Sequence, residues 1–564
     1  MFDIKKIPFS RYGSYFAVSQ NAENNHIYIK DLHGGDESSS EIYCLEVMDT
    51  SMHDLEVIFL ETKLCIREKN GIGKAEIVIG KENTLHMLIE GMAVSINAVT
   101  KKYDSLVCYG ENRWEHFLYS KNRKILFSAL YGEARAVGTW DLVGSKDAGL
   151  VCNEKKEKTY IVLENYKAAW EEKEYQKFEE AEEEAVLEFQ EWTKNLKILS
   201  GGFMEQKRLA VYILWSNFVR AEGILQYDSL YCSKNWMNNI WSWDNCFMSI
   251  ALSDWHPDRS YEQLAVFFSL QDKSGCYPDY ANEVFASYSC CKPPIHAWTY
   301  WKMMEQNTCF CDSARLAEAF KSFKRVTYYW LNYRIKRAGA LPEYNHGNDS
   351  GWDNSSVFFK GMPVESPDLT AYLIRQTDIL AKMAGRLGRE EEKEELTKIA
   401  DELYDKLMDR LFDGRHFFAV HVPEKRRIKE GDSLQMYLPI VIGYRMPKKV
   451  LDRLIEEMEE KFEGNYGLCT EQVKSGYYKK GGYWLGPVWA PVMYILIDAL
   501  RENGYGQMAE RLAGKFCNAT KIGLMAENFD AFSGIGYDDP AFAWTSAVFL
   551  QLQKEYPDMK EQME

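Results

Sequence analysis

Long apolar runs are missing from this sequence, and no window approaches the roughly 20 apolar residues that a transmembrane helix needs. The opening stretch MFDIKKIPFSRYGSYFAVS has two lysines but no apolar core after them, so it lacks the pattern of an export signal. The 13 cysteines are scattered without a CxxC pair. These features predict a cytoplasmic protein with reduced thiols, no membrane association and no metal site.

Acidic residues outnumber basic ones, 84 to 68. The formal net charge is −16 and the isoelectric point is about 5.3, whereas a nucleic-acid groove needs a basic stripe to neutralise phosphates. An anionic membrane surface would repel such a chain for the same reason. The composition therefore argues against nucleic acid and membrane as partners.

Aromatic residues, by contrast, are abundant. They make up 14% of the 564 residues, with 16 Trp and 35 Tyr. Aromatic rings fill the cores of packed helical hairpins, and they also stack against the apolar C–H faces of sugars. The composition therefore leaves two interpretations open, an aromatic helical core and a protein that binds a small carbohydrate.

The hydrophobic pattern changes twice along the chain, which is long enough for two to four domains. Up to residue 165, short β-branched and aromatic runs alternate with turn sequences such as HGGD, which predicts an antiparallel β-sandwich domain over 1–165. Residues 166–200 are highly charged, with apolar residues at i, i+3 and i+4, which predicts a linker helix. From 201 to 564 the pattern is helical.

About a dozen helical segments follow, and long loops rich in Gly, Pro, Asn and aromatic residues lie at every second connection. Loops of that length in a compact domain are usually functional. A solenoid would show a repeating consensus, and we find none. The prediction is a mainly α protein, an (α/α)6 toroid preceded by the β-sandwich.

Two of these loops combine unusual side chains at the start of a helix. NWMNNIWSWDNCF places Trp236 and Trp243 ahead of Asp244. Asp244 is a possible helix N-cap, but a cap does not require three tryptophans in eight residues. CKPPIHAWTYW starts a helix with two prolines and brings Lys292 and His296 to its mouth, as structural residues or as partners of sugar hydroxyls.

Three further loops are LPEYNHGNDSGWDNSS, KKGGYWLGPVW and MAENFDAFSGIG. They are dense in hydrogen-bonding side chains and aromatic rings, and their glycines let the backbone approach a ligand closely. The candidate ligand-binding residues that they contribute are Trp352, Tyr483, Trp484, Gly486 and Trp489.

Glycosidic bonds are hydrolysed by a pair of carboxyl groups, one protonated to assist the leaving oxygen and one ionised. Asp353 lies beside Trp352, and an apolar neighbour raises the pKa of a carboxyl towards that of a usable acid. Glu527 comes from a different hairpin, as expected for a partner across the mouth of a toroid. The competing carboxyls are Asp244, Glu343, Asp349 and Glu471.

These motifs together resemble two families of inverting (α/α)6-barrel glycosidases, the trehalases of glycoside hydrolase family 37 and, more closely, family 63 with its processing α-glucosidases. SGWDNSS at 350–356 looks like the segment that carries their general acid, and WSWDNCF at 241–247 is similar to their W-x-W-D element. YWLGPVWAP at 483–491 and the segment from ENFDAFSGIG to FAWTSA look like the pocket border and the segment that carries the base. The resemblance covers roughly 200–555.

The resemblance implies an exo-acting, inverting glycosidase that needs no metal or organic cofactor. It implies Asp353 as general acid, Glu527 as general base, and Trp243 and Asp244 in the subsite of the terminal sugar. The substrate it suggests is a terminal α-glucosyl residue of a small oligosaccharide or glucoside. Trehalases carry an arginine shortly after the acid, where this chain has Val357, so trehalose is not expected.

Two other functions stay open at this point. A disaccharide phosphorylase on a related barrel would use phosphate as nucleophile and would need no carboxylate base. A sugar-binding or sugar-isomerising toroid would use the aromatic residues without cutting a glycosidic bond. A homo-oligomer is compatible with each of these functions.

Overall fold

The computed structural model describes residues 2–194, 196 and 201–559. Strands dominate up to Tyr166, and helices dominate from Phe178 onwards. No helix in the described ranges is long and apolar enough to cross a bilayer.

Two antiparallel sheets face each other in the amino-terminal part. In the described residues their strands are β1 (Phe9–Ser10), β2 (Phe16–Gln20), β3 (Ile27–Asp31), β4 (Glu41–Val47), β5 (Leu55–Phe59), β6 (Leu64–Glu68), β7 (Lys74–Ile79), β8 (Thr84–Glu90), β9 (Val94–Ala98), β10 (Ser105–Gly110), β11 (Arg113–Leu118), β12 (Arg123–Tyr131), β13 (Ala134–Asp141), β14 (Gly144–Cys152) and β15 (Lys158–Tyr166). The order is β1-β2-β3-β4-β9-β14-β13 in one sheet and β10-β11-β12-β15-β8-β7-β6-β5 in the other. The predicted β-sandwich is confirmed.

The core of the sandwich follows from the two-residue period of the strands. Ile27 and Ile29 of β3 are buried, as are Leu85, Met87 and Ile89 of β8. Alternate residues of a strand point to the same face, so each sheet presents an apolar inner face to the other.

The helix after the sandwich is shorter than the predicted span of 166–200. It begins at Phe178 and ends at Thr193, because β15 continues to Tyr166 and the next eleven residues carry no regular structure. Tyr175 in that stretch donates a hydrogen bond to Glu164 of β15 at 2.6 Å, which holds the chain against the sheet. Residues 195 and 197–200 of the predicted span lie outside the described residues.

Six helices form a closed inner ring in the second half of the described chain. The helices of the molecule are α1 (Phe178–Thr193), α2 (Met204–Ser216), α3 (Asp244–Leu252), α4 (Pro257–Ser269), α5 (His296–Gln306), α6 (Ser313–Tyr333), α7 (Pro367–Arg386), α8 (Glu390–Arg410), a 3-10 helix over Leu434–Arg445, α9 (Lys448–Phe462), α10 (Ala490–Glu502), α11 (Gly506–Gly523) and α12 (Ala543–Glu555). Contacts run from α3 to α5, α7, the 3-10 helix, α10, α12 and back to α3. The other helices from α2 onwards pack outside, which confirms the (α/α)6 toroid.

The sequence of each helix explains its place in the toroid. Every residue of α3 is buried, and so are the first eleven residues of α10 and of α12. Helix α8, in contrast, buries only four of its 21 residues. A helix that is apolar all round belongs in the interior, whereas an amphipathic helix belongs at the surface.

The loops ahead of the inner helices meet at one end of the barrel and contain short strands. These strands are β16 (Phe218–Val219), β17 (Ser229–Leu230), β18 (Ile240–Trp241), β19 (Tyr280–Ala281), β20 (Ala286–Ser287), β21 (Glu343–Tyr344), β22 (Val364–Glu365), β23 (Val420–His421), β24 (Arg426–Arg427), β25 (Val488–Trp489), β26 (Asn528–Phe529) and β27 (Gly536–Tyr537). They pair into small sheets that fix the loops. All the candidate residues except Glu527 lie in the loops leading into α3, α5, α7 and α10 or in the first turns of α3 and α5, and Glu527 lies ahead of α12.

A buried lysine ties the two halves of the molecule together. Lys234 Nζ donates to Ser10 Oγ at 3.0 Å, to the Ser14 carbonyl at 2.6 Å and to the Phe218 carbonyl at 2.9 Å. Burial holds the pKa of this lysine well below its usual value. The amino-terminal segment is therefore fastened to a loop of the barrel.

Replacing Lys234 with Met should lower the free energy of unfolding by about 2–3 kcal/mol, because buried oxygen acceptors lose their donor. Urea unfolding followed by circular dichroism measures the loss. Lys398→Met, at an exposed position of α8, is the matched control and should change stability by less than about 0.5 kcal/mol. Equal effects of the two substitutions would contradict a tie between the domains.

Candidate active site

The loop of Asp353 is closed at its ends by β21 and β22, which pair Glu343 with Glu365. Its anchor is Asp349, whose carboxylate accepts hydrogen bonds from the Cys291 amide at 3.0 Å and the Asn345 amide at 2.9 Å. Arg334 Nη1 also donates to it at 2.9 Å. Asp349 is thus fully engaged in holding the loop.

The remaining competing carboxyls outside the pocket are also engaged. Glu343 is ion-paired with Arg337 at 3.1 Å. Glu471 accepts from the Ser356 hydroxyl and from the Asp432 amide, both at 2.8 Å. Each of these buried glutamates has a structural partner.

Asp353 differs from them. Its Oδ1 atom is buried and has no hydrogen-bond partner among the described residues. Burial raises the pKa of the carboxyl, and the charges of Lys292 and His346 oppose that shift. A carboxyl that is dehydrated without a partner favours its protonated form, which is the form of a proton donor.

The tryptophan beside this aspartate packs among other indole rings. Trp352 is fully buried and packs against Trp484, with ring centroids 4.8 Å apart. Gly351, at φ 72°, leaves room for Trp243, because a Cβ there would lie 2.5 Å from the indole. Trp352 is therefore enclosed among indole rings, while the neighbouring Asp353 remains partly exposed.

Asn354 joins this loop to the loop of Tyr483 and Trp484. Its Nδ2 donates to the Gly482 carbonyl at 3.0 Å, and its Oδ1 accepts from the Trp484 amide at 2.9 Å. These two hydrogen bonds fix the position of the loop that carries Asp353 relative to the aromatic loop.

Glu527 lies just before β26, which pairs with β25 and β27. It is only 3% exposed, and its amide donates to the Asp539 carbonyl at 2.8 Å. Burial raises the pKa of Glu527 to about 8, with smaller contributions from the charges of Asp538 and Asp539, while the Tyr483 hydroxyl lowers it by donating to Oε1 at 2.9 Å.

Tyr483 connects the two carboxyls. It has φ 63°, a left-handed conformation that is uncommon for a residue with a side chain, and its carbonyl accepts from Trp489 Nε1 at 3.1 Å. The pKa of its phenol is raised by burial, then by the charges of Glu527 and Asp353. One phenol therefore lies within electrostatic range of both carboxyls.

Tyr483→Phe should raise the pKa of Glu527, because the hydrogen bond that favours the ionised form is lost. We expect kcat/KM near neutral pH to fall by about tenfold and the pH limb that reports Glu527 to move upward by about one pH unit. A pH profile of kcat/KM tests this, with Tyr537→Phe as control, since that hydroxyl donates to Asp530 instead. An unchanged profile would show that the tyrosine does not act on Glu527.

Indole rings surround the space between these groups. Trp484 is stacked on Trp489 at 3.8 Å with 6° between the planes. Trp243 lies 6.4 Å from Trp484 and 6.1 Å from Trp544. The Nε1 atoms of Trp352 and Trp484 are buried without hydrogen-bond partners among the described residues.

Asp244 is the first residue of α3, and the N-cap position is taken by Trp243 instead. Its Oδ1 accepts from Cys232 Sγ at 3.4 Å, and its buried Oδ2 has no partner in the described chain. Burial raises the pKa of Asp244 to about 7, and the charge of Lys292 opposes this.

Lys292 donates to the Asn348 carbonyl at 2.8 Å and is ion-paired with Asp279 at 3.0 Å. Burial alone would lower the pKa of this lysine, but the carboxylates of Asp279 and Asp353 raise it. Lys292 is therefore a cation held among three carboxyls, the third being Asp244.

Three candidate residues lie away from this group. His296 is buried under the W-x-W-D turn, its Nε2 donates to the Ser242 carbonyl at 2.9 Å, and burial lowers its pKa to about 4. Trp236 is 50% exposed and makes no ring contact with the pocket tryptophans among the described residues. Gly486, at φ 153°, lies close to the ring of Tyr478. A Cβ at this position would come within 2.8 Å of that ring, so the loop needs a glycine here.

Sequence reasoning missed Cys232, Asp279 and Trp544. Trp544 had a signal, since it belongs to the FAWTSA segment after Glu527. Asp279 and Cys232 sit in loops without a distinguishing pattern, and only the fold brings them to Lys292 and Asp244.

Comparison with known proteins was consistent with this geometry. Residues 237–545 match the sequence profile of the family described as "Mannosylglycerate hydrolase MGH1-like glycoside hydrolase domain". Mannosylglycerate hydrolase of Rubrobacter radiotolerans is 23% identical over 411 residues, which cover 56% of this chain and 90% of that protein.

Solved structures show the same architecture. The family 63 mannosylglycerate hydrolase of Thermus thermophilus, in complex with Tris and D-glycerate, is 19% identical with a TM-score of 0.52 and covers 61% of this chain and 99% of its own. A bacterial glucoamylase complexed with acarbose is 11% identical with a TM-score of 0.66, over 99% of this chain and 95% of its own. The profile match spans more than half of the sequence, and the chain thus belongs to the MGH1-like glycoside hydrolases, inverting enzymes of family 63.

Proposed function

We propose that this protein is an exo-acting hydrolase that removes a terminal α-glucosyl residue from a small neutral oligosaccharide or glucoside. Asp353 is the general acid and Glu527 the general base. The observation that carries this proposal is that two carboxyls from distant hairpins, Asp353 and Glu527, both act on one phenol, Tyr483, which donates to Glu527 at 2.9 Å.

The proposed reaction follows the inverting scheme. Asp353 transfers its proton to the departing glycosidic oxygen, and Glu527 takes a proton from a water that attacks the opposite face of the anomeric carbon. The released sugar has inverted configuration, Asp353 is left ionised and Glu527 protonated. Proton exchange with solvent restores both groups.

The proposed sugar subsite lies beside the packed tryptophans. The tryptophans offer apolar faces to the sugar ring, and the unpartnered Oδ2 of Asp244 and Nε1 of Trp484 offer an acceptor and a donor to its hydroxyls. A buried polar atom without a partner costs free energy unless a ligand satisfies it. These groups support the binding of one sugar residue.

Charge in the pocket supports a neutral aglycone. Asp244, Asp279, Asp353 and Glu527 contribute four carboxyls, and Lys292 is already ion-paired to one of them. A glycoside with a carboxylate would bring a further anion beside these groups, and Lys292 is not free to pair with it because it is already bonded to Asp279. We therefore place neutral α-glucosides ahead of acidic glycosides as substrates.

An α-mannoside of glycerate is the second candidate, because the matched family and the Rubrobacter relative are described by that substrate. Its carboxylate would need a cation on the aglycone side of Asp353. His346 is an exposed residue whose charge acts on Asp353 and is the available candidate.

The cytoplasmic location stays a prediction from the sequence.

A substrate panel followed by NMR tests the proposal. The panel contains neutral α-glucosides of different linkage, the corresponding α-mannosides, and the α-glucoside and α-mannoside of glycerate. We expect release of free sugar from a neutral α-glucoside without phosphate, with the β-anomer appearing first. Faster turnover of the mannoside of glycerate would replace the proposed substrate, a phosphate requirement would indicate a phosphorylase, and no sugar release from any member would indicate a binding protein.

A further inference from the structure

Three metal-binding side chains meet on the solvent face of the β-sandwich, far along the chain from the proposed catalytic residues. We call His26, Cys44 and Glu46 the β3–β4 cluster. Cys44 and Glu46 alternate along β4, so they point to the same face. Ile27 pairs with Leu45 across β3 and β4, which places His26 opposite Glu46.

The donor atoms of the β3–β4 cluster lie within 4.8 Å of one another. His26 and Cys44 are half-buried, and Glu46 is exposed. Zinc bonds to nitrogen, oxygen and sulfur are about 2.0–2.3 Å long, so ligands of one ion lie roughly 3.3–3.7 Å apart. Small side-chain rotations on a rigid pair of strands bring the three donors to that spacing.

The carboxylate of the cluster is oriented from the neighbouring strand. Asn97 of β9 donates from Nδ2 to Glu46 Oε2 at 3.0 Å, and Ser95 donates to Asn97 Oδ1 at 2.6 Å. Register explains the contact, because Cys44 pairs with Asn97 and Glu46 with Ser95. Outer residues that hold a ligand in this way are a regular feature of metal sites.

The electrostatic setting favours a cation. The carboxylates of Glu46 and Glu41 lie close enough to the Cys44 thiol to act on it electrostatically. Tyr28 also faces this thiol across the two strands. A dication at the same place offsets the negative field and stabilises the thiolate.

We propose that His26, Cys44 and Glu46 bind one Zn²⁺, with water as the fourth ligand. Histidine nitrogen, cysteine sulfur and a carboxylate oxygen form a donor set that zinc accepts in tetrahedral geometry. Binding releases the thiol proton of Cys44 to solvent, so the affinity rises with pH. The ion would fasten the turn before β3 to β4.

Co²⁺ titration of the full-length protein, with absorbance detection, tests the site. We expect a thiolate-to-cobalt charge-transfer band that saturates at one ion per chain and disappears when Zn²⁺ is added. Cys44→Ser should abolish the band, and Asn97→Ala should weaken metal affinity by about tenfold to a hundredfold.

Cys65→Ser is the matched control. Cys65 also pairs with a glutamate, Glu76, across β6 and β7, but belongs to no three-ligand group among the described residues. Its removal should leave the band intact. Absence of the band in the native protein, or its persistence in Cys44→Ser, would overturn the proposal, and hydrolysis with chelator present should be unchanged in either case.

Discussion

Asp353→Asn is expected to lower kcat on a natural α-glucoside by about 10³–10⁴-fold, because the leaving oxygen loses its proton donor. An α-glucosyl fluoride should be cleaved nearly as well as by the native enzyme, since fluoride departs with little protonation. Initial rates with both substrates measure the difference. Equal losses on both substrates would contradict the role of general acid.

The same variant should fold at least as well as the native protein. Burial raises the pKa of Asp353, so ionisation of this carboxyl costs stability at neutral pH, and a neutral amide removes that cost. Asp349→Asn is the informative comparison, because it leaves the buried Arg334 without its charged partner and should lower the melting temperature. A substitution that lowers activity but keeps the melting temperature identifies the acid. A substitution that lowers both activity and melting temperature identifies the residue that anchors the loop.

Sequence periodicity was sufficient for most of the barrel. The apolar residues of DLTAYLIRQTDILAKMAGRLG, at 368–388, follow the helical period and predict a helix. That helix is α7, which begins at Pro367 and ends at Arg386. The inner element over Leu434–Arg445 escaped prediction. It is a 3-10 helix with Pro439 inside and a kink at Ile442, and proline is a signal against a helix interior.

The strands between 105 and 152 were equally hard to predict. All eight residues of β13 are at least partly exposed, so the strand lacks the alternation of apolar and polar residues that identifies a half-buried sheet. Its place is determined by pairing with β14, from Ala134 opposite Cys152 to Asp141 opposite Gly144. Pairing within an exposed hairpin of this kind leaves no hydrophobic alternation to read.

The residues alone predict an aromatic site with carboxyls, and the choice of Asp353 over Asp349 came from the family resemblance and stays a prediction. Asp349 and Asp353 occupy the same loop, with similar neighbours in sequence. The difference between them is Arg334, which follows the end of α6 and neutralises Asp349. His296 shows the same limit, because its helix places it under the Ser242 carbonyl rather than at the mouth.

Zinc was not expected from the sequence, since its cysteines form no CxxC pair. The β3–β4 cluster draws its ligands from positions 26, 44 and 46, and only the register of two antiparallel strands brings them together. The spacing of residues in a sequence motif reveals metal ligands that lie on one turn or at one hairpin tip. Ligands on different strands can be recognised only when the pairing of the strands is known.

Glu527→Gln is expected to lower kcat by about 10³-fold or more on the natural substrate and, unlike Asp353→Asn, on the α-glucosyl fluoride as well. Both reactions need a base to activate water, so a good leaving group does not restore the rate. The paired measurement on the two substrates therefore distinguishes base from acid. Full activity on the fluoride would contradict the role of Glu527.

Asp538→Asn is the matched control, because Asp538 is a neighbouring carboxyl whose charge raises the pKa of Glu527. Asparagine tolerates its left-handed φ of 60°, so the backbone should keep its shape. Losing that charge should lower the pKa of Glu527 and change kcat by less than about tenfold.

Glu527→Ala with azide tests the side of attack. A small anion fits the space that the carboxylate leaves and should form a β-glucosyl azide from an α-glucosyl fluoride, because attack comes from the face opposite the leaving group. NMR of the product reports its configuration. An α-azide would require two displacements and a covalent intermediate, which is incompatible with a base that acts only through water.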